Sequence, residues 1–204
     1  MKVILLEKVN KSVSRILTDC EVFYFCDAKW LKNNRLENHF TIDEKMEKEL
    51  RDFTETYSLE RTLKYIEFKR RTEKEVSNHL RKIHIPEYII QATILKMVEY
   101  GMLDDELYAR DYIDELIEKN QSTYAIKMKS INKGINEPLV EAILTELNVL
   151  EKEEFRALKL IEKRYGKSDK KHEMNKVRQY LYRKGFSTEA IRKSMENHFV
   201  GIVQ

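Results

Sequence analysis

The stretch Gly101-Met102-Leu103-Asp104-Asp105-Glu106-Leu107-Tyr108-Ala109-Arg110 decides how this chain folds. Gly101 is expected to end one helix, because glycine adopts the left-handed C-terminal turn without steric cost. The acids at 104–106 are expected to begin the next helix, since an aspartate caps free N–H groups and acids oppose the positive end of the helix dipole. The stretch therefore predicts a joint between two helical units, with Met102 and Leu103 filling it.

An apolar stripe follows this joint. Its members recur at helical spacing and are Tyr108, Ala109, Tyr112, Ile113 and Leu116. A corner with a packing role alone is the simplest interpretation of such a stretch. Any function must therefore be argued from the flanking sequence.

The composition favours helices with charged, solvated faces. Hydrophobic residues make up 42% of the 204 positions and charged residues 36%, with only 5 Gly and 2 Pro. The chain has no apolar run long enough to cross a bilayer and no signal peptide, so we expect a cytoplasmic protein without membrane contact. Cys20 and Cys26 are expected to be reduced core residues.

Net charge alternates along the chain. Residues 1–57 carry −1, residues 58–100 carry +3, residues 101–150 carry −5 and residues 151–204 carry +6. A plain nucleic-acid-binding protein is more often basic throughout. The alternation favours a partner of mixed charge, such as a protein that encloses nucleic acid, although uneven scatter over solvated helices explains the counts equally well.

Residues 1–57 are predicted to form a small α/β segment. Short runs rich in β-branched and aromatic residues predict strands, with polar turns between them at 10–12 and 19–21. Asp27 is predicted to cap a short helix. Thr41 and Glu44 fit a capping box for a helix that reaches about Tyr57. The three predicted strands are Lys2–Val9, Val13–Thr18 and Val22–Cys26.

From Ser58 onward the pattern is helical. Thr72 and Glu75 fit a capping box, Pro86 suits a first-turn position, and three later N-caps are expected at Ser122, Asn136 and Ser187. The nine predicted helices cover 58–70, 73–83, 86–99, 104–118, 123–133, 137–148, 151–165, 170–184 and 188–199.

These helices repeat in three sets of three. In each set, the turn between the second and third helices contains one apolar residue. These residues are Ile85, Ile135 and Phe186, so the period is 50 and then 51 residues. Residues His84, Gly134 and Gly185 precede them and must take the left-handed turn. Such a period predicts an elongated, curved tandem array with repeats at 58–100, 101–150 and 151–204. The other core positions that follow this shift are Val76, Ile126 and Val177; Ile90, Val140 and Ile191; and Ile94, Leu144 and Met195.

These residues resemble the RecX regulatory proteins, modulators of the RecA recombinase, over roughly 58–199. The stretch 101–110 is similar to the family's signature of leucine, two aspartates, two variable residues, an aromatic residue and alanine. Arg71–Val76 with Leu80 resembles its first-repeat motif. Lys133–Ile135 and Arg183–Ser187 resemble its second- and third-repeat turns. The N-terminal strands, which include residues 23–25, and the helix after Asp27 are more weakly similar to the N-terminal segment of the longer family members.

The resemblance implies a curved array of three three-helix repeats that binds in the groove of the RecA filament on single-stranded DNA. It implies inhibition of strand exchange, ATP hydrolysis and co-protease activity, with no chemistry and no cofactor of its own. The sequence departs from the family at Gln121–Ser130, where a glycine, arginines and a leucine are common, and the basic contribution of this helix is weaker. Lys184 stands where an arginine is common and keeps the charge without the bidentate fork.

Basic clusters are the candidate binding residues. Lys82, Lys133 and Lys184 recur at the second turn of each set, so an array is expected to line them along one edge that touches phosphate or an acidic protein surface. Solvated helix ends are the alternative interpretation, because cations there suit the helix dipole. The candidates for partner or DNA contact are Arg70, Arg71, Arg81, Lys82, Lys133, Arg183, Lys184 and Arg192, and the pair Lys170-Lys171 forms a further cluster.

No catalytic site is predicted. The glycines are isolated, so no phosphate loop is present. His79 and His84 are five residues apart, which does not place both on one helical face for a metal. A monomeric regulator of the RecA filament is thus the leading hypothesis. The alternative is a sequence-tolerant nucleic-acid-binding protein, since a three-helix unit resembles DNA-binding bundles; a hydrolase or transferase is set aside for want of a site.

Overall fold

The computed structural model describes residues 1–36, 39–166 and 174–199. The chain divides into two compact units, Met1–Asp104 and Asp105–Gln204. The division falls inside the stretch 101–110, as its interpretation as a joint between helical units predicts.

The described residues are mainly helical, with one small sheet at the N-terminal end, which confirms the predicted fold class. The extended, curved arrangement and the repeat bounds stay predictions. The strands are β1 (Val3–Lys8), β2 (Val13–Thr18) and β3 (Phe23–Asp27), and the helices are α1 (Ala28–Asn34), α2 (Glu44–Ile66), α3 (Glu73–Lys82), α4 (Glu87–Glu99), α5 (Asp105–Glu118), α6 (Thr123–Asn132), α7 (Glu137–Glu146), α8 (Glu153–Tyr165), α9 (Met174–Arg183) and α10 (Thr188–His198).

The three strands pair antiparallel in the order β1-β2-β3. Ile16 at the centre of β2 pairs with Leu6 and Tyr24 and is fully buried. Asp27 caps α1 as predicted, because its side chain accepts a 2.5 Å hydrogen bond from the Trp30 amide.

One cysteine differs from its prediction. Cys26 is buried in β3, and burial raises the pKa of its thiol to about 12. Cys20 is exposed, since it lies in the turn between β2 and β3, where no strand face directs it into the core. Both thiols are free, and only Cys26 belongs to the core.

Helix α2 corrects the prediction of two helices that meet near Tyr57. The helix runs without a break from Glu44 to Ile66. Ser58 is buried inside it and bonds Thr93 across to α4 at 2.8 Å, while the Thr62 hydroxyl donates to the Ser58 carbonyl at 2.9 Å. Hydroxyl groups that bond back to the preceding turn are compatible with a continuing helix, so Ser58 does not begin a new one.

The helices from α3 onward match the predicted ones, with ends shifted by one or two residues. The predicted start of the eighth helix at 170 lies outside the described residues. The helices pack in three sets, α2–α4, α5–α7 and α8–α10, and each set encloses its own apolar core. All of the periodic apolar positions named above are buried.

The turn after the second helix of each set is the clearest confirmed prediction. His84, Gly134 and Gly185 have φ of 64°, 98° and 83°, which places all three in the left-handed region. Ile85 and its two counterparts then return to the core with at most 4% of their surface exposed. The period of the sequence is therefore a period of the backbone.

The joint at 101–110 is closed by backbone hydrogen bonds. Gly101 has φ of 65°, and the amides of Met102 and Leu103 both donate to the Met97 carbonyl, at 2.9 and 3.2 Å. Leu103 is 2% exposed and packs into the core of the first helical set. Met102 is 51% exposed, so only one of the two predicted residues fills the joint.

Most predicted caps are confirmed. Thr72 and Glu75 form both hydrogen bonds of a capping box, and Ser122 and Ser187 accept from the third amide of α6 and α10. The box predicted at Thr41 is wrong, because Asp43 caps α2 through the Met46 amide at 2.8 Å.

Two further predicted caps differ in detail. Pro86 occupies the N-cap position of α4, one residue before the first turn. Asn136 stands at the N-cap of α7 without a side-chain cap hydrogen bond. Across the described ranges, no helix is both long and apolar enough to cross a membrane.

Candidate partner-binding surface

Arg71 is held in place by an aromatic stack. Its guanidinium carbon lies 4.5 Å from the centroid of the Tyr65 ring, and its Nη1 lies 3.9 Å from the Glu75 carboxylate. The Tyr65 ring in turn stacks on His79, with centroids 4.1 Å apart and planes 2° from parallel. Cation–π contact and stacking restrict the arginine, so this candidate presents its charge from a fixed position.

The surroundings of His79 are strongly positive. Burial lowers the pKa of its imidazole, and the nearby charges of Arg61, Lys82 and Arg71 lower it further. His79 Nε2 and the Nε atoms of both arginines are buried without a hydrogen-bond partner among the described residues. The neutral imidazole is therefore the form that this cluster favours.

Arg81 is compensated by an acid on the next helix. Its Nε and Nη2 donate to the Glu87 carboxylate at 2.9 and 2.7 Å, and this pair links α3 to α4. Arg70 and Lys82 are exposed at the surface of the same unit. The charge of Arg81 is thus already paired with an acid at the protein surface.

In the second unit the candidate lysines lie beside tyrosine rings. Lys133 Nζ is 5.9 Å from the Tyr112 centroid, and Lys184 Nζ is 5.8 Å from the Tyr180 centroid. The Arg164 guanidinium also lies over Tyr180, at 4.6 Å. These tyrosines and Arg164 were not among the candidates selected from the sequence. The signal that could have found them is the pairing of aromatic and basic residues near helix ends.

The proposed recurrence of three lysines needs a correction in register. Lys82 is the last residue of α3, whereas Lys133 is the C-cap residue that follows α6 and Lys184 follows α9. By the backbone period the counterpart of Lys133 and Lys184 is Ile83, which is the C-cap of α3. The lysines are 51 residues apart in both steps, whereas the backbone period between the first and second sets is 50 residues. Lys82 is therefore one position out of register with Lys133 and Lys184.

A buried carboxylate fixes the turn that carries Lys184. Glu153 is 2% exposed, and its two oxygens accept from the amides of Thr123 and Ser187, at 2.7 and 3.2 Å. These amides lie at the N-terminal ends of α6 and α10. A carboxylate is favourable at both positive helix ends, so one side chain joins two helix starts.

Arg156 completes the same connection. It is 5% exposed and donates to the Gln121 carbonyl at 2.9 Å, the Thr123 hydroxyl at 3.0 Å and the Val149 carbonyl at 2.8 Å. Burial lowers the pKa of its guanidinium, and the charge of Glu153 opposes that shift. Neither residue was predicted, since both sit in a charged run that looks solvated.

The remaining candidates lie on α9 and α10. Arg183 is exposed at the end of α9. Arg192 donates to both oxygens of Glu196 on its own helix, at 2.8 and 2.9 Å. The Lys170-Lys171 cluster lies outside the described residues. The described part of the chain contains no group of three or more His, Cys, Asp or Glu residues placed to hold a metal.

The fold and these side chains define a helical-repeat protein whose distinctive surface features are basic turns and aromatic–cation contacts. Residues 152–195 match the family model "RecX, third three-helix domain". A regulatory protein RecX of Streptococcus mutans is 28% identical over 203 residues, covering 97% of this chain and 77% of that protein. A regulatory protein RecX of Streptococcus pneumoniae is 30% identical over 189 residues, covering 92% and 73%.

A solved structure agrees with this assignment. The crystal structure of RecX from Lactobacillus salivarius superposes with a TM-score of 0.64 at 25% identity, over 73% of this chain and 99% of that one. The chain therefore belongs to the RecX regulatory protein family, as its motifs at 71–76, 101–110 and 183–187 predict.

Proposed function

We propose that this protein binds the RecA filament on single-stranded DNA and modulates it, mainly by inhibiting recombinase, ATPase and co-protease activity during DNA repair. Membership of the RecX family carries the proposal. The family resemblance implies a regulator that acts by binding and carries out no reaction of its own. The protein would act as a cytoplasmic monomer without a cofactor.

The surface chemistry is consistent with this role. Exposed Lys82, Arg183 and Lys184 offer charge to phosphates or to acidic side chains. Phosphate contacts give affinity without sequence choice, which suits a partner formed on DNA of any sequence. The acidic middle segment and its basic flanks suit a partner that presents both protein and DNA.

The decisive experiment measures ATP hydrolysis by RecA on single-stranded DNA while this protein is added well below the amount that coats the DNA. The proposal expects inhibition at substoichiometric amounts, because each bound regulator affects a filament of many subunits. A protein that acts only by binding DNA inhibits once the DNA is coated. Inhibition that begins only at that point would reject the filament-binding proposal.

A salt titration supplies an independent readout. Direct phosphate binding weakens steeply as salt rises, because each neutralised phosphate releases counterions. Filament binding through mixed contacts should lose less affinity over the same range. Equal salt dependence for the filament and for bare DNA would favour the DNA-binding alternative.

A further inference from the structure

The third helices of the three sets begin at equivalent positions. By the 50- and 51-residue steps, Glu87, Glu137 and Thr188 correspond, and each is the first residue of its helix. Four residues further on, Gln91, Glu141 and Arg192 correspond. The first two sets therefore carry acidic or amide side chains where the last set carries a hydroxyl and a guanidinium.

In the first two sets these acids close the face between the second and third helices. Glu87 accepts hydrogen bonds from both Arg81 on α3 and Gln91 on its own helix. Lys127 on α6 lies 2.8 Å from the Glu137 carboxylate and 2.6 Å from that of Glu141, and hydrogen bonds to both raise its pKa. Basic side chains on this face thus already have acidic partners.

The third set lacks these partners. Arg178 on α9 corresponds to Lys127, and Thr188 and Arg192 stand where the two glutamates of the second set stand. Arg178 is exposed and makes no ion pair or hydrogen bond with the described residues. The ion pairs that link the second and third helices in the second set are therefore not made here, and Arg178 is left with an unpaired positive charge among the described residues.

An open groove of about 560 Å³ occupies this face. The buried side chains of Ile191 and Met195, with half-buried Met174, form its apolar base. Arg178 lines its rim together with Tyr182, which is 73% exposed, and with the ion pair that Arg192 forms with Glu196. The groove combines an apolar surface, an aromatic ring and positive charge.

The sequence of α9 adds charge without compensation. Residues 174–187 contain Lys176, Arg178, Arg183 and Lys184 and no acidic residue, with Tyr180 and Tyr182 between them. Alternating cations and aromatic rings are typical of surfaces that bind single-stranded nucleic acid, because bases stack on the rings and phosphates meet the cations. A negatively charged partner is also what the unpaired charge of Arg178 favours, whereas Arg192 is already paired with Glu196 on its own helix.

We infer that the groove between α9 and α10 is a binding site for single-stranded nucleic acid. A base stacks on Tyr182 over the apolar surface, and a flanking phosphate contacts Arg178. Apolar packing and stacking distinguish bases weakly, so binding is tolerant of sequence. The inference rests on the proposed function, because the RecA filament would supply the single strand. The experiment uses the single strand without RecA.

The experiment measures binding of a fluorescein-labelled oligothymidylate of about 12 nucleotides to the full chain by anisotropy, over a range of salt. Tyr182→Ala is expected to weaken binding about tenfold, since loss of base stacking has an effect of this order. Tyr182→Phe keeps the ring and should bind as the wild type does. Arg178→Gln should weaken binding and lower the magnitude of the salt slope by about 0.7.

A variant that closes the groove with an ion pair tests the comparison between the helical sets. Thr188→Glu places an acid at the first position of α10, as in α4 and α7, where it can pair with Arg178 and also suits the helix dipole. We expect oligothymidylate affinity to fall at least tenfold while the thermal midpoint does not fall. Lys176→Gln removes one positive charge from the same helix outside the groove and should change affinity less than twofold.

The outcomes separate this inference from the proposed function. Unchanged oligothymidylate binding in Tyr182→Ala and Thr188→Glu overturns the inference. So does an effect of Lys176→Gln equal to that of Arg178→Gln, because the groove would then have no special role. If these variants lose inhibition of RecA but bind the oligonucleotide normally, the groove takes a protein segment instead and the inference is wrong. Oligonucleotide binding without any inhibition of RecA supports the groove and rejects the proposed function.

Discussion

The hydroxyl of Ser122 donates a 2.8 Å hydrogen bond to the carbonyl oxygen of Lys184, 62 residues along the chain. The Ser122 hydroxyl oxygen also accepts a hydrogen bond from the Ala125 amide at 3.1 Å and so caps α6. One buried side chain therefore begins a helix of the middle set and fixes the turn of the third set. The turn that presents Lys184 is held by its backbone and leaves the lysine side chain exposed.

Ser122→Ala should destabilise the protein more than an ordinary loss of a cap. It removes the cap and also leaves the Lys184 carbonyl without this donor, so we expect a cost of about 2 kcal/mol. Ser187→Ala is the matched control, because its hydroxyl caps α10 through the Ala190 amide at 3.2 Å, and we expect about 1 kcal/mol there. Urea unfolding of both variants compares the two; equal costs would mean that the hydrogen bond to Lys184 adds nothing.

Gly185→Ala tests how closely the same turn approaches α6. A Cβ at this position would lie 3.0 Å from Tyr124 Cδ1 and 3.1 Å from Ser122 Oγ, at a φ of +83°. Gly101 has φ of +65° and nothing within 4 Å of an added Cβ, so Gly101→Ala introduces the left-handed strain of about 1–2 kcal/mol alone. The loss of unfolding free energy should be larger at Gly185, and a smaller loss there would contradict the close approach.

The repeated turns were predictable because each depends on local chemistry. A left-handed residue followed by an apolar one recurs with a period of 50 and then 51 residues, and Gly134 and Gly185 take that conformation at no steric cost. The caps at Thr72 and Ser187 were predictable for the same reason, since their hydrogen bonds reach only three residues along the chain. Local periodicity thus accounts for the helices and their joints.

The connection through Glu153 and Arg156 was not predictable in this way. The amides that Glu153 accepts from lie 30 and 34 residues away, and no local pattern marks them. Its neighbours Glu151, Lys152 and Glu154 make the run typical of a solvated helix start. The open groove beside Tyr182 was equally hidden, because it depends on acids that are absent at positions 188 and 192.

Arg156→Met should be strongly destabilising despite its similar side-chain length. It removes three hydrogen bonds from a buried group and leaves the carbonyls of Gln121 and Val149 without that donor, so we expect a loss of about 3 kcal/mol. Lys159→Met, on the exposed side of the same helix, is the control and should stay within about 0.5 kcal/mol. Chemical denaturation measures both, and similar values would show that the buried guanidinium is dispensable.

Arg183→Glu combined with Lys184→Glu should separate binding from stability. Both side chains are exposed, so we expect weaker filament binding with a change of no more than about 1 kcal/mol in unfolding free energy. Tyr108→Ala is the comparison, because Tyr108 is 6% exposed in the core of the second set and its truncation should cost about 3 kcal/mol. If thermal melting drops equally in both variants, the basic turn has a structural role.

The charged surroundings of His79 predict a dependence of stability on pH. Burial and the neighbouring cations lower the pKa of the folded imidazole below its ordinary value of 6.5. Below that pH the unfolded chain binds a proton more readily than the folded one, so protonation favours unfolding. This contribution to stability is fully present above pH 6.5 and is lost progressively as the pH falls from that value through the lower pKa of the folded imidazole.

His79→Phe should reduce this dependence. Phenylalanine keeps an aromatic ring against Tyr65, and the Nε2 atom that it removes has no partner among the described residues, so the folded structure loses no known hydrogen bond. Thermal melting from about pH 7.5 to about pH 5.0 should then fall less in this variant than in the wild type. His39→Asn is the control, because His39 is exposed and asparagine tolerates its left-handed φ of 68°; it should keep the wild-type profile. Identical profiles for all three proteins would mean that His79 is protonated as readily in the folded chain as in the unfolded one, which the cations around it oppose.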